Sequence, residues 1–402
     1  MTARAILVRA DGALSSDPAP ATAQALLAAL VDEDDDSDGG GNGARNAAAA
    51  HRPAASYTTA LAEWVPDTGE YVALDWHLHA ERLVRNLRLL SEGESDDDGK
   101  ALAALATERA AAALRALAAS SNASPPRAAM LVVALPPSSP RQPVAYAKAA
   151  PAYAEAWLAG VGAGAAPPPS LRAVAALGSG GRQRATAKHC RWVLERRALE
   201  AWSASLPGGP FDEVLLVEED DQVLEGLASN MVVIAEVRRR EDSGEGGVRG
   251  GGDDDDGGNG GPAPNSSSTP PLTSLVLQTA GYSDNTALQG TVQRRVLEAA
   301  ARLGLAVDAR GPPTLAAARR GEWREALLAN GLRGLVPLSS VVVKRYRGGG
   351  AEEGEQDDEF EVRLGPQPSS SSSSSPSSSS LAARLVAEVV RLQRRERLLG
   401  GG

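Results

Sequence analysis

Residues 223–230, with the sequence VLEGLASN, decide how the second half of the chain folds. The apolar runs on either side, 211–217 (FDEVLLV) and 231–237 (MVVIAEV), are rich in branched residues and predict two β-strands. Glu225 precedes Gly226 in the connection between them. We therefore expect the Glu225 carboxylate to face a cleft, although a glutamate before a glycine is more often only a turn residue.

Toward the N-terminus, the next informative stretch is 181–192, GRQRATAKHCRW. It contains Lys188, and only four of the chain's 41 basic residues are lysines. An arginine cannot lose its proton in a protein, whereas a buried lysine can and then attacks carbonyl groups. Lys188 is therefore the first candidate for a Schiff-base residue. The neighbouring His189 and Cys190 are interpreted as packing residues, and because they form no ligand cluster, no metal site is predicted.

Toward the C-terminus, Gly290 precedes a predicted helix. Four apolar residues recur after it at helical spacing: Val292, Val296, Ala300 and Leu303. The free N–H groups and the dipole of a helix start favour a phosphate, although a glycine there is usually only a cap. A lysine, a carboxylate and a phosphate-binding helix start are together what pyridoxal phosphate requires. The lysine anchors the aldehyde, and the acid keeps the pyridine nitrogen protonated.

The order of these segments resembles the class IV, or fold type IV, pyridoxal-phosphate aminotransferases. That family includes branched-chain and D-amino-acid aminotransferases and aminodeoxychorismate lyases. Four segments carry the resemblance: 77–83 (HLHAERL) for the H…RL helix, 223–230 for the EG…SN motif, 288–294 (LQGTVQR) for the L-P-G-x-x-R helix start, and 330–338 (NGLRGLVPL) for the late N-S-L-R-G stretch. With residues 57–59 (YTT), the Lys188 segment is most similar to a plant and algal branch.

The resemblance implies a role for each matching residue. Lys188 would be the Schiff-base lysine and the acid–base group that moves the substrate α-proton. Glu225 would pair with the pyridine nitrogen, and Arg82 would bind the phosphate. The other cofactor-binding residues implied are Gly290, Thr291, Val292 and Asn330. The substrates implied are an amino acid and a 2-oxo acid.

Some positions depart from the family pattern and keep two alternatives open. Gln293 stands where the L-P-G-x-x-R motif has arginine, Gly331 where a threonine or serine contacts the phosphate, and Trp192 and Val193 near a common tyrosine. These changes motivate a non-catalytic binding protein as one alternative, against which the intact Lys188 and Glu225 argue. The segment 330–337 motivates the other, a lyase that releases pyruvate from 4-amino-4-deoxychorismate.

The predicted fold class is α/β, or mixed α+β, with two domains, because strands and helices alternate but strand pairs also occur. A Gly/Pro-rich linker at 161–170 would separate a small domain, 1–160, from a large cofactor-binding domain, 171–402. The family resemblance implies a cofactor cleft between them and a homodimer. Acidic, glycine-rich and serine-rich segments bury too little apolar surface to fold. We expect disordered insertions at 32–52, 92–100, 241–270, 348–358 and 366–380.

Periodicity and composition also predict individual elements. Helices are expected from Asp75 onward and over 101–119, 192–203 and 381–396. Strands are expected at 5–9, 56–61, 71–74, 128–135, 171–177, 275–279, 326–330 and 341–344, besides the two that flank Glu225.

Composition excludes several classes of function. The net charge of −10 comes largely from the insertions, and no basic stripe with aromatics indicates nucleic-acid binding. No run of about 18 apolar residues predicts a membrane span. The single cysteine is typical of a reducing compartment, and residues 5–12 indicate a strand and turn rather than a signal peptide. We expect a cytoplasmic protein, with the plastid as the alternative.

Overall fold

The computed structural model describes residues 5–8, 14–15, 23–32, 55–91, 98–121, 124–163, 170–182, 185–238, 273–281, 286–308, 311–346, 359–364 and 380–398. Within them, two β-sheets are covered by helices, and the predicted mixed α+β architecture is confirmed. No helix in this part of the chain is long and apolar enough to cross a membrane.

The first sheet has seven strands in the described residues and is antiparallel throughout. Its strands are β1 (Ala5–Val8), β2 (Leu14–Ser15), β3 (Ser56–Val65), β4 (Glu70–Leu74), β5 (Ala128–Leu135), β6 (Val144–Ala149) and β16 (Arg395–Arg397), in the order β16-β4-β3-β5-β6-β1-β2. The first four helices are α1 (Ala23–Asp32), α2 (Trp76–Leu90), α3 (Gly99–Ala119) and α4 (Ala152–Ala163).

The core of this sheet follows from its sequence. All eight residues of β5 are buried, as expected for a continuous apolar strand in the middle of a sheet. Helices α2 and α3 lie on one face, where Leu83, Leu87 and Leu114 join a single apolar cluster with the sheet residues. The apolar positions of α2 recur at helical spacing, so its opposite face is left for charged residues.

The second sheet combines parallel and antiparallel pairs. Its strands are β7 (Leu171–Leu177), β8 (Glu213–Val217), β9 (Val223–Gly226), β10 (Asn230–Arg238), β11 (Thr273–Gln278), β12 (Ala306–Val307), β13 (Trp323–Asn330), β14 (Gly334–Arg345) and β15 (Phe360–Arg363). The remaining helices are α5 (Trp192–Glu195), α6 (Arg197–Ser205), α7 (Thr291–Arg302), α8 (Leu315–Arg319) and α9 (Leu381–Leu392). Strands β14, β7 and β8 run parallel to one another.

Six of these strands close into a ring, in the order β10-β13-β14-β7-β8-β9. The closing contact pairs Glu225 on β9 with Asn230 on β10. The segment that was expected to be a connection between two strands therefore contains a short strand of its own. Because residues alternate between the two faces of a strand, this pairing fixes which way Glu225 points.

The two sheets meet along α2, α7 and the C-terminal segment. Asp75, at the start of α2, accepts hydrogen bonds from Arg295 Nη2 on α7 (2.6 Å) and from the backbone N–H of Arg394 (3.0 Å). Asp75 has a left-handed backbone (φ 51°), which is strained for a non-glycine residue, and these contacts hold it there. The helix that starts with Gly290 is thereby fastened to the helix that carries Arg82.

Most predicted elements occur, with several corrections at their ends. The predicted helix 381–396 ends at Leu392, because Arg394 bonds to Asp75 and residues 395–397 pair with β4 in the first sheet. Helix α4 continues to Ala163, inside the predicted linker 161–170. Asp98 and Lys100, placed in the insertion 92–100, start α3, since the Asp98 carboxylate caps the Lys100 N–H (2.9 Å).

The other predicted insertions fall outside the described residues, apart from two terminal positions. Asp32 ends α1, and Ser380 caps α9 by accepting the Ala383 N–H (3.1 Å). The domain boundaries themselves stay a prediction. The helix predicted over 192–203 is present as α5 and α6, which are separated at Arg196.

Candidate active site

A cavity of about 960 Å³ lies where the two sheets meet, and every residue predicted for the site lines it. The predicted residues that line it are Arg82, Lys188, Glu225, Gly290, Thr291, Val292 and Asn330. They come from α2, from the segment before α5, from β9, from the start of α7 and from the end of β13. The fold thus brings together residues that are far apart in sequence.

Lys188 lies on a segment that pairs with the beginning of β3. Its carbonyl oxygen accepts the Tyr57 N–H (3.1 Å), and the Cys190 N–H donates to the Ala55 carbonyl (2.9 Å). Lys188 Nζ is 5.0 Å from the centre of the Tyr57 ring. The lysine is therefore held by backbone pairing to the first sheet while its amine faces the cavity.

The surroundings of Lys188 favour the neutral amine. Burial lowers the pKa of Lys188 well below its usual range, and the charges of Arg82, Arg182 and Arg196 lower it further. The Glu225 carboxylate opposes this decrease but does not outweigh it. A neutral amine at ordinary pH is what a nucleophilic or proton-accepting lysine requires.

Glu225 forms a buried ion pair that the sequence did not predict. Arg182 Nε lies 2.7 Å from Glu225 Oε1, and both side chains are almost completely buried. The other carboxylate oxygen accepts the Leu288 N–H (3.3 Å). Burial raises the pKa of Glu225, and the Arg182 charge opposes that rise. Because an arginine keeps its charge, Arg182 favours the anionic form of the carboxylate beside it.

Arg182 is itself firmly placed. Its Nη2 donates to the Ala185 carbonyl (2.6 Å), and its guanidinium lies 5.5 Å from the centre of the Trp192 ring. Trp192 in turn donates its ring N–H to the Leu227 carbonyl (2.9 Å), in the turn after Glu225. Trp192, which departs from the family pattern, therefore contacts Arg182 and the turn after Glu225, and so helps to position the ion pair.

At another part of the cavity, Arg82 is buried on α2. Its Nη2 donates to Thr58 Oγ1 (2.8 Å), but within the described residues its Nε has no hydrogen-bond partner. Burial lowers the pKa of Arg82 to about 10. A buried donor without an acceptor is costly, so this guanidinium is suited to receive an anion from the cavity.

The start of α7 lines the same part of the cavity. Gly290 is the N-cap, and the first N–H groups of a helix, here those of Thr291 and Val292, have no acceptor within the helix. A side chain on Gly290 would not fit, because a Cβ atom there would collide with the Asn230 side chain. The helix start and Arg82 are therefore both suited to an anion.

Gln293 replaces the motif arginine and has a structural role. Its Oε1 accepts the Gly290 N–H (3.1 Å), while its Nε2 donates to Thr279 Oγ1 (2.8 Å) and to the Ala280 carbonyl (2.8 Å). Gln293 therefore fixes the first turn of α7 against the end of β11. The substitution changes how the helix start is held without removing the start itself.

The glycine at position 331 also has a structural explanation. A Cβ atom at this position would lie 2.9 Å from the Thr59 carbonyl oxygen and 3.5 Å from His79 Cε1. The threonine or serine typical of the family would therefore collide with the β3 backbone unless the backbone shifted. The close approach of this turn to β3 therefore explains the glycine, and no side-chain hydroxyl is present at this position.

Asn330 lines the cavity, but its amide is occupied. Its Nδ2 donates to the Ala228 carbonyl (2.6 Å), and its Oδ1 accepts the Leu332 N–H (2.8 Å). These bonds tie the turn after β9 to the turn after β13. Direct contact between Asn330 and a cofactor stays a prediction, and the bonds present here give it a positioning role.

His189 and Cys190 are buried as expected for packing residues. His189 pairs through its backbone with Ser56, and Cys190 packs in an apolar cluster with Tyr57. In the part of the chain that the structure describes, no group of three or more His, Cys, Asp or Glu side chains could hold a metal ion.

Sequence reasoning missed two residues at this site besides Arg182. Arg196 lines the cavity wall near Lys188, and His79 lies behind the wall, between Thr58 and Thr291. The spacing of His79 and Arg82 in the motif at 77–83 puts them on one face of α2, which could have drawn attention to His79. Arg182 is in the quoted Lys188 segment, but nothing local indicates that it pairs with Glu225.

Comparison with known proteins agrees with this geometry. The family model for amino-transferase class IV matches residues 57–341, so the chain belongs to the class IV aminotransferases, a family of pyridoxal-phosphate enzymes. The branched-chain aminotransferase of the archaeon Thermoproteus uzoniensis, solved with norvaline, is 14% identical with a TM-score of 0.51, and the match covers 97% of this chain and 94% of that chain. It shows the same fold.

A hypothetical aminotransferase from Mycobacterium tuberculosis, solved in a pyridoxal-phosphate-bound form, is 17% identical with a TM-score of 0.49. The match covers 96% of this chain and 97% of that chain. No curated protein sequence matches this chain.

The residues present fit the family's cofactor. The unpartnered Arg82 Nε and the helix start at Thr291 suit a phosphate, and the Glu225 carboxylate suits a pyridine nitrogen.

Proposed function

We propose that the protein is a pyridoxal-phosphate-dependent transaminase that moves an amino group between an amino acid and a 2-oxo acid. One observation carries the proposal. Lys188, with a depressed pKa, faces the same cavity as a buried carboxylate and an anion site. This combination supports a lysine that binds a carbonyl and then exchanges protons next to it.

Each residue has a task in this proposal. The Lys188 amine would hold the aldehyde of the cofactor, and as a neutral amine it would accept and return the substrate α-proton. Glu225, held as an anion by Arg182, keeps the pyridine nitrogen protonated. Arg82 and the N–H groups of Thr291 and Val292 hold the phosphate. When bound, pyridoxal phosphate supplies the electron sink for the α-proton transfer.

The cavity also supports substrate binding. Its volume of about 960 Å³ is at the upper end of ordinary ligand sites, so it has room for a substrate beside the cofactor. Its wall also carries Arg196 and Arg333, together with the apolar side chains of Leu27 and Met130. Cationic side chains beside apolar ones suit the carboxylate and the side chain of an amino acid.

A panel of donors and acceptors tests the proposal. Purified protein with added pyridoxal phosphate is incubated with amino acids and 2-oxo acids, and the new amino acid is quantified. We expect transamination in the wild type, loss of more than a thousandfold in Lys188→Ala, and little change in Lys148→Ala, a second lysine that lines the same cavity.

The same panel separates the alternatives. Pyruvate release from aminodeoxychorismate without any 2-oxo acid acceptor would contradict the transaminase and support the lyase. Absence of both activities, together with absence of cofactor binding, would support a non-catalytic binding protein.

A homodimer and a cytoplasmic or plastid location stay predictions. Sedimentation analysis of the purified protein tests whether it is a homodimer.

A further inference from the structure

A chain of hydrogen bonds connects Arg82 to Thr291 through two side chains that the proposed function has not used. Arg82 Nη2 donates to Thr58 Oγ1 (2.8 Å), and Thr58 Oγ1 lies 2.9 Å from His79 Nδ1. On its other side, His79 Nε2 lies 3.4 Å from Thr291 Oγ1. All four side chains are buried, and Thr291 lines the cavity.

The donor groups determine in which direction each of these hydrogen bonds runs. An arginine has only donors, so Thr58 accepts from Arg82 and has its own proton left to give. His79 Nδ1, 2.9 Å from Thr58 Oγ1, is in position to accept that proton. Arg82 Nη2 also faces Nδ1, at 3.5 Å, and a proton on Nδ1 would point at this donor. His79 Nδ1 is therefore the acceptor.

It follows that the proton of the neutral His79 ring is on Nε2. Burial lowers the pKa of His79 well below its usual range, and the nearby charges of Arg82 and Lys188 lower it further, so the ring stays neutral. The Trp76 ring lies nearly parallel to the His79 ring, with planes 16° and ring centres 6.4 Å apart. Nε2–H then donates to Thr291 Oγ1, and the Thr291 hydroxyl proton is left for another acceptor.

We propose that His79 is a positioning residue that turns the Thr291 hydroxyl proton toward the cavity, where it donates to a phosphate group. The inference rests on the proposed function and deepens it, because it assigns the phosphate a side-chain donor in addition to Arg82 and the helix start. His79 itself need not touch the phosphate. It acts through Thr291 and keeps that hydroxyl from pointing back at α2.

The first test compares two ligands that differ only in the phosphate. Affinities for pyridoxal phosphate and for pyridoxal are measured by absorbance titration of the cofactor-free protein. In His79→Phe we expect the affinity for pyridoxal phosphate to fall about tenfold, as for a lost hydrogen bond to a charged group, with the affinity for pyridoxal unchanged. His77→Phe, on the same helix but away from the cavity, is the control.

A double-mutant cycle shows whether His79 acts through Thr291. Thr291→Val should lower the affinity for pyridoxal phosphate by a similar factor, and the double variant should lose no more than either single variant. His79→Gln, whose amide N–H can take the place of Nε2–H, should recover part of the affinity. Equal weakening of both ligands, or additive losses in the cycle, would overturn the proposal.

The third test does not need the cofactor. Nitrogen-15 NMR of histidine, assigned with His79→Gln, should show Nδ1 without a proton and Nε2 with one, and the opposite tautomer would overturn the proposal. If the wild type binds no pyridoxal phosphate, the proposed function fails. In that case, the tautomer of His79 and the affinities of the wild type and of Thr291→Val for inorganic phosphate still test whether His79 positions the Thr291 hydroxyl.

Discussion

The cavity has two charged parts that are built differently. At one, Glu225 and Arg182 form a buried ion pair of 2.7 Å. At the other, the buried Arg82 contacts only the neutral Thr58 and His79 among the described residues, and its Nε has no acceptor. The first part is electrically balanced by the protein itself. The second is not, and an anion from outside the chain would balance it.

This difference indicates which part of the cavity needs a bound ligand to balance its charge. Removal of one partner from a buried ion pair leaves the other charge uncompensated, whereas removal of a cation that lacks a counter-ion takes away a cost. The Glu225 part should therefore matter for the stability of the cofactor-free protein. The Arg82 part should matter for the affinity of the phosphate.

The largest expected effect follows from Arg182→Met. It leaves the Glu225 carboxylate buried without its partner, so we expect the free energy of unfolding of the cofactor-free protein to fall by about 3–5 kcal/mol. Urea denaturation measures the change. Arg182→Met combined with Glu225→Gln should recover much of the loss, and a single variant as stable as the wild type would show that the pair is unimportant.

Arg82→Met tests the other part of the cavity. The variant should lose about a hundredfold in affinity for pyridoxal phosphate, because the phosphate loses its buried charged donor. The cofactor-free protein should unfold at the same temperature as the wild type or slightly above it, since the removed cation has no carboxylate partner among the described residues. If cofactor-free Arg82→Met were much less stable than the wild type, Arg82 would matter for stability as Arg182 does, and the proposed difference between the two parts would be wrong.

A third effect concerns Lys188, whose folded pKa is lowered by burial and by Arg82, Arg182 and Arg196. Between that pKa and the unfolded value near 10.4, the unfolded state binds more protons, so this lysine makes the cofactor-free protein more stable as pH rises. Lys188→Met should be more stable than the wild type at pH 7, and the gain should shrink by about 1.4 kcal/mol per pH unit toward pH 9.

Urea denaturation of both proteins at the two pH values measures this difference, with Lys148→Met as the matched control. A gain for Lys188→Met that is independent of pH would show that the amine of Lys188 is charged in the folded protein.

Motifs made Lys188, Glu225, Arg82 and the Gly290 helix start predictable, because each lies in a segment whose local order is characteristic of the family. The alternation of strands and helices likewise predicted the mixed architecture. Contacts between distant segments were not predictable. The Arg182–Glu225 pair, the Arg295–Asp75 tether and the pairing of residues 395–397 with β4 depend on the folded chain, and none has a local signal.

Gln293 shows the same limit in another form. In the sequence, Gln293 stands where the family motif has arginine, and this departure suggested a non-catalytic protein. Its three hydrogen bonds to Gly290, Thr279 and Ala280 show a residue that holds the helix start in place. A side chain's partners, which a motif does not contain, decide whether a substitution removes a function or carries it out differently.

The central claim is that Lys188 is the residue that attaches the cofactor, and chemical trapping tests it most directly. The protein is incubated with pyridoxal phosphate, the lysine link is fixed with borohydride, and the labelled peptide is identified by mass spectrometry. We predict one label on Lys188 and none on Lys148, which lines the same cavity. A label on Lys148, or no label at saturating cofactor, would contradict the account.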